Sequence, residues 1–251
     1  MCDTIVLDLT FQVSLIGDLV SGMHYLHDSV INVHGRLKSK NCVVDSRFAL
    51  KIADFGLPSL RNSAKIDLRH PVDAKGALWT APELLRDLFA EVEQGGGKGN
   101  YKGGTQKGDI YSFGIILHEI LVRQGTFHLE NEDWRKPVDI LRKVANRKMS
   151  EEPFRPSLPA VPPLENDLKL ILQLCWDEDE QQRPEFSVLK GMLKKFRREK
   201  FGANDGNLHD KLVNRLEQYA VNLEDLVKER TQNYLDQRNR ADNLLYQIMP
   251  K

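Results

Sequence analysis

Residues 34–56 read HGRLKSKNCVVDSRFALKIADFG. A polar run, HGRLKSKN, leads into the apolar residues Cys42, Val43 and Val44. A turn at Asp45, Ser46 and Arg47 follows, and then a second strand-like run over residues 49–52. Two short strands around a polar turn predict a β-hairpin. The hairpin presents Asn41 at one end and Asp54 at the other, so both fall within reach of one site.

Outward from the hairpin the pattern gains meaning. The protein-kinase catalytic loop has the form H-R-D-L-x-x-x-N and is followed by D-F-G. This stretch resembles it at His34, Leu37, Asn41 and the whole of Asp54-Phe55-Gly56. It departs at Gly35, where the arginine belongs, and at Arg36, where the catalytic aspartate belongs.

Bulk properties narrow the remaining classes. The 251 residues suffice for one domain with an extension, or for two small domains. With 36 basic and 36 acidic residues the net charge is zero, which gives no electrostatic case for a nucleic-acid partner. Three cysteines (Cys2, Cys42, Cys175) are too few and too scattered for a disulfide framework or a zinc site. No run approaches the length of a membrane span. Acidic residues at 3, 8 and 18 argue against a signal peptide.

Along the chain, apolar residues at helical spacing predict an amphipathic helix over residues 7–27. The region from 57 to about 80 reads as polar and irregular. Trp79-Thr80-Ala81-Pro82-Glu83 then opens a helix, with Pro82 in its first turn. Residues 94–108 hold seven glycines and no apolar period, and read as a surface loop. A phosphate-cradling role would need a strand before that loop. Residues 109–122 (DIYSFGIILHEILV) are apolar on nearly every side and predict a buried helix. Further helices are expected over 137–145 and 164–176. Another runs from 183 to about 198, with Pro184 in its first turn.

Residues 202–207 read as a hinge, and 208–249 as one long helix. Leu212, Leu216, Tyr219, Leu223 and Leu226 keep a heptad spacing that then meets Arg230, Asn233, Gln237 and Arg240. A second register runs through Val227, Tyr234, Ala241 and Ile248, with Leu244 nearby. A register change in mid-helix marks a coiled coil weakly specified at its centre. The narrow apolar stripe among dense polar residues favours pairing over folding back on the domain.

Together the elements resemble the larger lobe of a protein kinase. The expected fold is mainly α with a small β-hairpin, residues 1–201 forming a kinase-like (pseudokinase) large lobe and residues 208–251 a coiled-coil-forming helix. The resemblance implies that Glu83 of A-P-E pairs with Arg183, and that Asp109 holds the backbone of the loop at His34. A working kinase also needs a Gly-rich loop and a strand lysine paired with a helix glutamate. Thirty-three residues precede His34, and one helix takes up most of them. A guanidinium accepts no proton at physiological pH, so Arg36 cannot replace the base. No catalytic residue is assigned and no metal site. Asn41 and Asp54 are the remnants of a nucleotide and metal cleft, and the chain as it stands requires no cofactor.

The wording HGRLKSKNCVVDSRFALKIADFGL, LWTAPELLR, KGDIYSFGIILHEI and NLEDLVKERTQNYLDQRNRADNLLYQIMPK further resembles the membrane guanylate cyclases of the natriuretic-peptide-receptor kind. The resemblance implies a kinase homology module that relays receptor state through a dimerising helix to control cyclic GMP synthesis. Its partners would be a second copy, paired through Leu212 to Ile248, and the cyclase domain of a longer protein. ATP and Mg²⁺ would be ligands of a complete kinase homology domain, on the cytoplasmic side of a membrane receptor. Receptor, membrane span, small lobe and cyclase domain are outside these 251 residues, which suits a fragment or a truncated product. The alternatives are a stand-alone decoy that pairs with full-length cyclases, and an active kinase with an unusual loop.

Smaller features have plain readings. His24 and His27 are expected at the surface or the edge of the core, and Trp79, Trp134 and Trp176 in packing. Ser59, Ser63 and Thr80 fall in the activation segment, where a phosphate orders chain in some kinases. The basic run at Lys194, Lys195, Arg197 and Arg198 suits a helix C-terminus and a solvated face.

Overall fold

The computed structural model describes residues 8–45, 47–55, 65–68, 70–94, 99–100, 103–129, 136–146, 152–158, 165–202 and 205–248. Two compact units result, Met1–Arg197 and Arg198–Lys251.

The first unit opens with α1 (Leu9–Asp28), whose first turn is capped by the Asp8 carboxylate accepting from the Phe11 N–H. Its apolar stripe is buried from Phe11 to Leu26, as helical spacing requires. A 3₁₀ turn (Ser39–Asn41) leads into the expected hairpin, β1 (Cys42–Val44) and β2 (Leu50–Ile52). The strands are antiparallel in the register Cys42↔Ile52, Val43↔Lys51, Val44↔Leu50. β2 packs on α1, where the Asp18 carboxylate accepts from the Leu50 N–H at 2.9 Å.

Next come β3 (Lys65–Ile66), α2 (Pro71–Gly76), α3 (Pro82–Gln94), β4 (Gly99–Asn100) and α4 (Gln106–Val122). The helix α4 is capped by Thr105, whose hydroxyl accepts from the Gly108 N–H, and it ends at Arg123 in the left-handed region. Every residue from Gly108 to His118 is buried, so α4 is the axis of the unit. Around it lie α1 and α6 (Asn166–Cys175). The helix α5 (Pro137–Ala145) packs on α2 and α3. A 3₁₀ turn (Glu180–Gln182) and α7 (Phe186–Phe201) follow.

Three expectations need correction. The region from 57 to 80 is not irregular throughout, because it contains β3 and α2. Residues 94–108 are not simply a loop, because β4 pairs with β3 in the register Lys65↔Asn100, Ile66↔Gly99. Pro184 stands before the helix rather than in its first turn. The Glu185 carbonyl accepts from the Val188 and Leu189 N–H groups, so α7 opens at Phe186.

The second unit contains α8 (Asp205–Ile248), a single helix of 44 residues. It begins inside the stretch expected as a hinge, so Gly206 is helical, while Gly202 has φ of +95°. Among the described residues no helix is long and apolar enough to cross a membrane.

Candidate functional site

The loop after α1 is held in place by a carboxylate. Asp109, in the first turn of α4 and 1% exposed, accepts from the His34 N–H at 2.8 Å and the Gly35 N–H at 2.9 Å. The His27 imidazole lies 3.0 Å from the same carboxylate. Burying a carboxylate is costly unless its oxygens are satisfied, and three donors satisfy this one. His34 is buried, its Nδ1 accepting from the Arg36 N–H at 3.3 Å. Its Nε2 therefore carries the proton and donates to the Ala53 carbonyl at 3.1 Å, tying the loop to the end of the hairpin.

Asn41 and Asp54 come together as the hairpin requires. The Asn41 amide nitrogen donates to the Arg36 carbonyl at 3.1 Å and to the Asp54 carboxylate at 3.2 Å. Asp54 has φ of +64°, a conformation that costs a non-glycine residue about 1–3 kcal/mol. Asp54 and Phe55 are exposed, and the Phe55 ring stands edge-on to His34 with centroids 6.4 Å apart. Gly56 lies outside the described residues, as do Ser59, Ser63, Trp134 and Cys2.

Arg36 is half-buried and lines a cavity of about 290 Å³. The cavity lies between the loop (Gly35 to Lys38), β3 and α2 (Ile66, Val72) and α3 (Leu84, Leu88). Thr80 and Trp79 line it as well. At the place where a kinase needs a proton acceptor, this site offers a permanent cation. Asn41 and Asp54 supply oxygens of the kind Mg²⁺ takes, a single carboxylate with phosphate oxygens completing such a shell. Among the described residues there is no cluster of three or more acidic, cysteine or histidine ligands.

Behind the site, Glu83 and Arg183 meet in a bidentate pair at 2.7 and 2.8 Å. The Arg183 guanidinium also donates to the carbonyls of Asp177 and Lys107, and packs over the Tyr111 ring. Trp79 Nε1 donates to the Glu119 carboxylate at 2.9 Å, which is a packing role with one polar anchor. Burial pushes the Glu119 carboxyl up, although hydrogen bonds from Thr126, Trp79 and Ser39 oppose this. The Cys42 thiol is pushed up to about 12, chiefly by burial and further by the charge of Glu119, so it is no nucleophile. Burial likewise raises the Cys175 thiol.

Sequence reasoning missed two anchors. His27 pairs with Asp109 rather than sitting idle at the core edge. Its signal was there to read, since it stands four residues after buried Met23, on the inner face. Gln106 donates to the His27 carbonyl and to the carbonyl and side chain of Asn32. No motif announces that role. Of the helix positions expected to pair, Leu223 and Leu226 are exposed on α8, whereas the side chains of Leu212, Leu216, Tyr219, Leu244 and Ile248 lie outside the described ones.

Comparison with known proteins agrees with this architecture. Atrial natriuretic peptide receptor 2 of Homo sapiens is 48% identical over 248 residues, 99% of this chain and 22% of that protein. The receptor-type guanylate cyclase gcy-28 of Caenorhabditis elegans is 45% identical over 259 residues, covering 99% of this chain and 19% of its own length. The receptor-type guanylate cyclase Gyc76C of Drosophila melanogaster is 39% identical over 99% of this chain and 15% of its own. The chain thus spans about a fifth of the length of the curated relatives it matches. Residues 5–193 match the family described as protein tyrosine and serine/threonine kinase, and the chain belongs to that family.

Proposed function

We propose that this chain is the regulatory kinase homology module of a receptor guanylate cyclase. It relays receptor state through α8 to a cyclase domain elsewhere in a longer protein, at the cytoplasmic face of a membrane. The observation that carries the reading is identity of 39–48% across 99% of the chain with receptors and receptor-type guanylate cyclases. Arg36 supports a regulating rather than phosphorylating role, because phosphoryl transfer needs a residue that accepts the substrate hydroxyl proton. In this reading residues 1–201 are the lobe, and α8, which takes up the last residues of the expected hinge, is the dimerising helix. In a complete kinase homology domain, Asn41 and Asp54 would hold the Mg²⁺ of a bound ATP, which would supply charge neutralisation for the phosphates.

A chimeric receptor tests this. Residues 9–248 replace the matching segment of human atrial natriuretic peptide receptor 2, and cyclic GMP output is measured in membranes with and without hormone. Hormone-dependent output within about tenfold of the parent is expected. A chimera that reaches the membrane but makes cyclic GMP at one rate whatever the hormone would sink the proposal. The unmodified chain is expected to transfer no labelled phosphate from ATP to itself or to a generic protein substrate.

A further inference from the structure

The glycine-rich stretch before α4 does something that its composition conceals. Gly99 and Asn100 form β4 and pair with Ile66 and Lys65 of the activation segment. Four residues beyond β4, Gly104 lies directly against Gly35. A Cβ on Gly104 would stand 2.3 Å from the Gly35 Cα, and a Cβ on Gly35 would stand 3.0 Å from the Gly104 nitrogen. No real Cβ tolerates the first distance, so two main chains touch here with no side chain between them. The conformations agree: Gly35 has φ of +77° and Gly103 of +88°, both in the region that favours glycine. Gln106 then fastens the end of the stretch to the turn after α1, through the His27 and Asn32 carbonyls and the Asn32 side chain.

We infer that residues 99–100 and 103–106 act as a strap that binds Lys65 and Ile66 of the activation segment to the catalytic-type loop through main-chain contacts, and that the strap holds these two residues in place without phosphorylation. Kinase activation loops are commonly ordered by a phosphate that pairs with arginine. Here the arginine position of the loop motif is Gly35, and the Gly104 backbone takes the space beside it. The departure at 35 and the glycines at 103 and 104 are two halves of one contact. Strand pairing at one end and backbone packing at the other close one wall of the cavity, since both Ile66 and Gly104 line it. This inference stands on the geometry of the lobe and does not depend on the cyclase reading.

Hydrogen exchange on the full chain, shown by intact mass to carry no phosphate, tests it. Amides at 65–66 and 99–100 are expected to exchange slowly in the wild type. Gly104→Val should speed exchange at both strands and at Gly35 and Arg36 by about tenfold or more, leaving Ile110 to Leu117 of α4 unchanged. Asn100→Pro, which interrupts the strand pairing without touching Gly35, should do the same at 65–66. It decides the matter even if Gly104→Val does not fold. Gly76→Ala is the control, because a Cβ there meets nothing within 4 Å. Free-peptide exchange at 65–66 in the unphosphorylated wild type would overturn the strap. So would wild-type exchange at 65–66 in a folded Gly104→Val or in Asn100→Pro.

Discussion

Arg183 is among the most buried side chains of the lobe, at 1% exposure, and it carries a full charge. Such a charge survives burial only when paired and hydrogen-bonded, and Glu83 with two carbonyls does this. Removing the partner leaves the guanidinium stranded. Glu83→Ala should therefore cost about 3 kcal/mol, the lower end for breaking a buried pair, because the two carbonyls remain. The urea midpoint reads this, and Glu83→Gln should fall between mutant and wild type. A second prediction concerns Glu178. Burial pushes its carboxyl up, but hydrogen bonds and charge from Arg86 and Arg155, each at 2.8 Å, outweigh that and hold it below the ordinary carboxylate range. A depressed carboxylate adds stability above its unfolded pKa and loses it as pH falls through the folded one. Stability should thus decline below about pH 4.5, near the unperturbed glutamate value, and Glu178→Gln should flatten that decline relative to wild type. The residues that spell a motif were readable from sequence, Asn41 and Asp54 by their places around a hairpin. The place of His27 on the inner face of α1 was readable too, but its partner was not, because Asp109 is 82 residues away and nothing local links them.

At the scale of elements, α4 shows how tightly the core constrains sequence. A Cβ on Gly114 would stand 3.0 Å from the Cys175 Cβ and 3.6 Å from its carbonyl carbon, so α4 and α6 approach backbone to backbone. Gly114→Val overpacks this crossing and should cost about 1–3 kcal/mol. Gly191→Ala, whose Cβ meets nothing within 4 Å on exposed helix, should instead be neutral or slightly stabilising. Differential scanning of both variants separates crowding from helix propensity. Long periodic helices such as α1 and α4 were legible in sequence because burial imposes a repeat that residues report. The pair β3 and β4 was not, since two-residue strands have no period and their partners are 33 to 35 residues apart. Glycine there signalled flexibility by composition, whereas the fold uses it for close approach. Pro184 misled for a related reason. A proline suits the first helical turn, but it also suits the extended residue before the helix.

For the whole molecule the question is what α8 faces. Leu223, Leu226, Val227 and Tyr234 are all exposed, Val227 at 61% and Tyr234 at 64%. Leu223 and Leu226 fall on one heptad line, Val227 and Tyr234 on the next. A lone helix that leaves such residues in water gains by pairing, at roughly 1.5–3 kcal/mol for each leucine or valine side chain covered. The full chain should sediment as a dimer at micromolar concentration. Leu223→Glu with Leu226→Glu places like charges across the seam and removes two apolar side chains from each protomer. It should weaken the dimer more than a hundredfold, which corresponds to about 2.8 kcal/mol. Val227→Glu with Tyr234→Glu acts on the other register. If the seam changes register between Leu226 and Val227, each double variant alone should leave part of the affinity, and the quadruple variant should remove it all. A chain that sediments as a monomer at 100 times micromolar concentration removes the pairing role of α8, and with it the route by which the lobe would act on a cyclase. A dimer that tolerates all four glutamates locates the contact elsewhere and has the same consequence for α8.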